Sequence, residues 1–170
     1  MQDLSLFTYK EAINMISGFY TFTQGFWEFD LEQFPEVQRF IEKGYAEKDK
    51  DYDDLYVLNN AGEKVLHGFI RDISERFIKY MKGKDKKVAR EDVFKWFQDE
   101  FELDTIEDGE DIAQYICGNL RHYGYRILKF LGKYKDFYEM EPINTDLVEL
   151  EKLRIRKPRP SWSGLLQINF

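Results

Sequence analysis

This sequence predicts an α+β, helix-rich fold, and three observations carry the prediction. First, Val65, Leu66, Phe69, Ile70, Ile73, Phe77 and Ile78 recur at spacings of three and four over residues 63–81, the signature of one long amphipathic helix. Second, residues 86–141 read in order as a short strand, a helix, a polar break, a second helix and two strand-like runs. Third, Gly, Pro and Asn fall at the joints between these segments, as at Gly18, Pro35, Gly44, Asn59 and Gly124, where helix caps and turns require them.

Taken in order, residues 8–20 are predicted as a helix. Thr8 is placed to cap it, Glu11 stands three residues later as capping-box partner, and Ala12, Ile13, Ile16 and Phe19 share one face. Residues 21–30 alternate bulky and polar side chains around Gly25 and suit a strand or turn. A helical turn at 31–33 precedes Pro35, which suits the first turn of a helix over 36–43 ending at Gly44. Residues 45–48 and 55–58 read as two strands joined by a polar stretch, and Asn59 is a fitting cap for the long helix that follows. In the second half, residues 87–89 are strand-like, 91–101 helical, 111–122 helical, and 125–131 and 137–140 strand-like. Residues 145–154 are expected to form a short helix. The last residues carry an apolar cluster of Trp162, Leu165, Leu166, Ile168 and Phe170, expected to dock either on its own domain or on another chain.

The order strand, helix, turn, helix, hairpin, together with the phrase FIEKGYAEKD…LYVLNNAGEKVL, resembles the winged helix-turn-helix superfamily. No closer family is indicated. The resemblance implies two winged-helix units, each of three helices and a β-hairpin, sharing the long central helix. The expected organisation is a unit with an acidic wing over residues 1–68, a unit with a basic wing over 69–142, and a C-terminal helix and docked tail over 143–170.

Composition sets limits on function. The chain has 170 residues, a single cysteine and a net charge of -7. The lone Cys117 excludes an intrachain disulfide and fits a reducing compartment. No apolar run approaches the ~20 residues that span a bilayer, and residues 1–5 do not resemble the start of a signal peptide. A cytoplasmic location without membrane contact is expected. No Cys pair, nucleophile elbow, phosphate loop or dinucleotide fingerprint is present, so neither enzymatic activity nor a cofactor or metal is expected. His67 reads as a packed structural histidine and Cys117 as a small buried or half-buried thiol. Residues 49–54 resemble the first half of a calcium loop, but Asp54 stands where glycine is required and Asn60 where glutamate is required.

Charge is segregated along the chain. Residues 99–111 carry 8 acids and no base, and residues 112–135 carry 5 bases and no acid. Such runs form either ordinary solvated faces or distinct charged surfaces. The resemblance implies that the second helix of the second unit approaches a major groove. Its outward positions begin Glu110, Asp111 and Gln114, and the acids there repel phosphate. The helix end, wing and unit opening instead offer Arg121, His122, Arg126, Lys129, Lys133, Lys135, Lys86, Lys87 and Arg90, with Tyr123, Tyr125 and Tyr134 interleaved as stacking surfaces. The leading expectation is a nucleic-acid-binding or regulatory protein whose second wing contacts the phosphates of a double or single strand. The alternative is an acidic adaptor or inhibitor, including a phage or host-defence factor, that engages a basic protein through Asp51, Asp53 and Asp54 and through the tail residues Trp162, Leu165 and Phe170. A homodimer is left open.

Overall fold

The structure, a computed structural model, describes residues 6–22, 25–84 and 86–143. The expected C-terminal helix and the tail residues Trp162, Leu165 and Phe170 lie outside the described residues. The described chain is α+β and helix-rich, with two small antiparallel sheets. No helix among the described residues is long and apolar enough to cross a membrane.

The first half begins with α1 (Tyr9–Ile16), which continues as a π-helical segment over Ser17–Phe22. The capping box at its start is complete: the Thr8 hydroxyl accepts from the Glu11 N–H, and the Glu11 carboxylate accepts from the Thr8 N–H. The short strand β1 (Phe26–Trp27) and a 3-10 turn (Glu28–Gln33) lead to α2 (Pro35–Glu42), with Pro35 in its first turn. A hairpin follows, β2 (Ala46–Lys48) and β3 (Leu55–Leu58), and β3 is the central strand of the sheet β1-β3-β2.

The second half follows a similar order, with a further α-helix where the first half has its 3-10 turn. It opens with α3 (Asn60–Lys82), whose start is capped by the Asn59 side chain. Then come β4 (Val88–Ala89), α4 (Arg90–Glu100), α5 (Ile106–Asn119), a 3-10 turn over Leu120–Tyr123, and the hairpin β5 (Tyr125–Phe130) and β6 (Phe137–Pro142). The sheet order is β4-β6-β5, again with the last strand central. Gly124 holds φ at 87°, in the left-handed region that glycine adopts without steric cost, and so turns the helix end into the hairpin.

One boundary departs from the sequence expectation by several residues. The helix expected at 111–122 starts at Ile106 and ends at Asn119, with the next four residues wound as 3-10 helix. Thr105 explains the earlier start, because its hydroxyl accepts from the Asp108 N–H. The acids read as a break are Glu107 and Asp108 in the first turn, where they face the positive end of the helix dipole. Gly109 permits the close packing of this turn on α4, since a Cβ there would overlap the Phe94 carbonyl oxygen.

Buried side chains form one cluster that runs from Phe7 to Tyr138 across both halves. Its scaffold is α3, which buries Val65, Leu66, Phe69, Ile70, Ile73, Phe77, Ile78 and Met81 along one face. Burying each such side chain contributes about 1.5–3 kcal/mol. Aromatic rings fill the two ends. Phe19, Phe26, Phe34 and Phe40 meet in the first half. Phe77, Tyr80, Trp96, Phe97 and Phe101 meet in the second. Tyr9 of α1 bridges the halves: its ring packs on Phe69 and Phe101, and its hydroxyl bonds Asp72 and Arg76. Arg76 also reaches Glu100 of α4 at 3.3 Å.

Candidate nucleic-acid interface

Side chains alternate between the two faces of a strand, and this decides what the basic run can present. In β5, Tyr125 and Ile127 pack toward the core, as do Tyr138 and Met140 of β6, the register partners of Lys129 and Ile127. Arg126, Leu128 and Phe130 therefore occupy the outer face with Phe137, Glu139 and Glu141. Lys129 belongs to the inner set and emerges at the sheet edge, its Nζ 5.9 Å from the Tyr138 ring centre. Arg126 and Lys129 thus point to opposite sides of the sheet.

Carboxylates already engage two of the nine basic candidates. Arg126 pairs with Glu141, its register partner on β6. Arg90 pairs with Asp136 at 3.4 Å. The remaining seven have no ion pair among the described residues. Lys86, Lys87, Arg121, His122, Lys129, Lys133 and Lys135 are all exposed. On the outer face Lys87 stands 4.2 Å from the centre of the Phe130 ring, and Lys135 stands 5.5 Å from that of Phe137. Phe130 and Phe137 are register partners, so two half-buried rings lie side by side with a lysine over each. At the hairpin tip, Leu131 is 88% exposed and Tyr134 89% exposed, and Lys133 lies over the Tyr134 ring at 5.3 Å.

Phe130 and Phe137 were not among the candidates read from the sequence. Counting charges along the chain hid them. The alternation Arg126, Leu128, Phe130 carries the signal, because those three share a face. Tyr123 and Tyr125, expected as stacking surfaces, are partly buried against the core; of the three tyrosines, Tyr134 stands free of it.

The start of α5 presents the opposite chemistry. Glu107, Asp108, Glu110 and Asp111 cluster there, and the Asp111 carboxyl is raised above the usual range by partial burial and by its three acidic neighbours. Phosphate would be repelled at this end.

The first hairpin is acidic, as expected. Asp51, Asp53 and Asp54 are exposed, and the Asp49 carboxylate accepts from the N–H groups of Asp51 and Tyr52, fixing the turn. The structure adds an aromatic patch. The Trp27 ring stacks on Phe29 and meets Tyr52 edge-on, while Phe29 is 75% and Tyr52 60% exposed. The Glu28 N–H donates to the Asp54 carbonyl at 2.7 Å, which holds the patch beside the acids.

His67 departs from expectation, being exposed and not packed in the core. Its ring stacks on Tyr20 at 6.1 Å. Cys117 is half-buried, and burial pushes its thiol up to about 12, far from the thiolate that nucleophilic chemistry uses. Among the described residues no group of three or more His, Cys, Asp or Glu side chains converges as metal ligands would. Comparison with family models, with curated proteins and with solved structures finds no match to this chain.

Proposed function

We propose that this protein is a nucleic-acid-binding or regulatory protein of two winged-helix units, acting by binding and not by catalysis. The second wing carries the contact. One observation supports this most: the outer face of the second sheet sets Phe130 and Phe137 side by side, each under a lysine, next to an exposed tyrosine flanked by Lys133 and Lys135. Lysines supply the sequence-independent attraction to phosphate, and aromatic faces supply stacking for unpaired bases. The acidic start of α5 argues against insertion of that helix into a major groove, so contact led by the wing is favoured. Lys86, Lys87, Lys133 and Lys135 are assigned to phosphates, with Arg121 and His122 at the helix end as outlying contacts. Arg126 and Arg90, held by Glu141 and Asp136, hold the hairpin in shape.

Charge reversal tests this directly. The triple variant Lys87→Glu, Lys133→Glu, Lys135→Glu is expected to lose binding to single strands and duplexes while keeping its circular dichroism and melting temperature. Unchanged affinity in a folded variant contradicts the proposal.

A second reading has its own support, the patch of exposed Phe29 and Tyr52 with half-buried Trp27 beside Asp51, Asp53 and Asp54. Aromatic side chains are the common anchors of protein interfaces, and the acids select a basic partner. On this reading the first unit is an adaptor or inhibitor surface. A complex captured by the wild type and lost by Asp51→Lys, Asp53→Lys, Asp54→Lys supports it; equal capture by both baits counts against it.

A further inference from the structure

Both histidines of the chain line one cleft, though they are far apart in sequence. It lies between α3 and the end of α5, has a volume of about 270 Å³, and is lined by His67, Ile70, Arg71, Tyr115, Asn119, His122 and Tyr123. His67 and Arg71 are four residues apart on α3, one turn along the same side of the helix. His122 comes from the 3-10 turn after α5. In a chain with 32 acidic and 25 basic residues, this cleft gathers an arginine and two imidazoles, and no carboxylate lines it. Glu63, one turn before His67, and Glu75, one turn after Arg71, flank it along that side of α3, and no ion pair engages His67, Arg71 or His122 among the described residues.

The remaining walls are flat and fixed. Tyr115 and Tyr123 pack against the core. The Tyr20 ring stacks on both His67 and Tyr115, with centroids 6.1 and 6.0 Å apart, and so ties the two sides together. The Asn119 Nδ2 donates to the Tyr115 carbonyl at 2.7 Å, which commits the amide nitrogen and leaves its oxygen as an acceptor. Ile70 is buried and supplies an apolar surface.

We propose that this cleft is a binding site for a small phosphate monoester that bears a planar ring. Arg71 and the two imidazoles hold the phosphate oxygens, Tyr115 and Tyr123 sandwich or border the ring, and the Asn119 oxygen accepts from an amino N–H carried on the ring. The volume is near the lower end for ligand pockets, which suits one nucleotide-sized molecule and excludes a dinucleotide. The site is separate from the second hairpin's outer face, shares only His122 with the nucleic-acid proposal, and does not depend on it.

Having only two histidines makes the test clean, because every imidazole signal in a proton NMR spectrum reports on this cleft. Titration of the full chain with AMP is expected to shift both imidazoles saturably. Inorganic phosphate and adenosine are each expected to shift them more weakly than AMP does. Arg71 is exposed, so Arg71→Ala leaves the core intact and is expected to weaken AMP binding by about tenfold, the value of a lost charged hydrogen bond. The triple lysine variant of the second hairpin is expected to bind AMP as the wild type does. The proposal is overturned by unmoved imidazoles at millimolar AMP, by Arg71→Ala binding as tightly as the wild type, or by sodium chloride producing the same shifts.

Discussion

At the scale of single residues, Glu11 shows how one side chain serves both local and tertiary structure. It completes the capping box with Thr8 and pairs with Arg39 of α2. Burial alone would raise its carboxyl, but the Thr8 N–H and the Arg39 guanidinium outweigh burial and hold it below the usual carboxylate range. The folded protein therefore binds this proton less tightly than the unfolded chain does. Its contribution is present at neutral pH and is lost as pH falls through the lowered folded value. Glu11→Gln is expected to reduce stability at pH 7 and to flatten the acid side of a pH–stability curve measured by urea unfolding. A variant curve parallel to that of the wild type would contradict this. The capping box was legible because its two residues are three apart. The Arg39 partner was not, because it comes from another helix, 28 residues along the chain.

Local signals fix the elements well where a cap or breaker is unambiguous. Asn59, Pro35, Gly44 and Gly124 all mark joints that the structure contains. The start of α5 shows where this fails. Acids before a helix and acids in its first turn look alike in sequence, and Thr105 decides between them through one hydrogen bond. Thr105→Ala is expected to cost about 1 kcal/mol and to raise amide exchange in the first turn of α5, with the rest of the helix protected. Unchanged exchange at residues 106–109 would show that the cap is not what starts the helix. The second hairpin was legible as a pair of strands. Which of its cations share a face was legible too, through the two-residue period, but only once the strand had been fixed at Tyr125–Phe130. The pairing of Arg126 with Glu141 depends on register, which the connecting loop sets and which charge counting cannot supply.

At the scale of the molecule, α3 joins two halves with a similar order of elements, and the core is continuous through it. Phe77 is fully buried and meets rings of α4. Phe77→Ala is expected to cost about 3–5 kcal/mol. Because the core is shared, both halves should unfold in a single transition by calorimetry, whereas two separated transitions would mean independent units. The separation of charge was visible in the sequence, yet its arrangement in space was not. Of the basic candidates, Lys87 and Lys135 meet on the outer face, with Lys133 at the tip. Arg90 and Arg126 pair with acids, and Lys129 belongs to the inner set.

The central claim is that the second wing binds nucleic acid through phosphate contacts and an exposed ring. It is tested most directly by a salt titration of binding to a mixed-sequence duplex and to a single strand, comparing wild type with Tyr134→Ala and with the triple lysine variant. Four lysine contacts predict a log–log slope of about -3 to -4 on duplex and about -3 on the single strand. Tyr134→Ala should weaken the single strand more than the duplex, and the triple variant should bind neither. Absence of binding at low salt, or a wild-type slope retained by the triple variant, would contradict the claim.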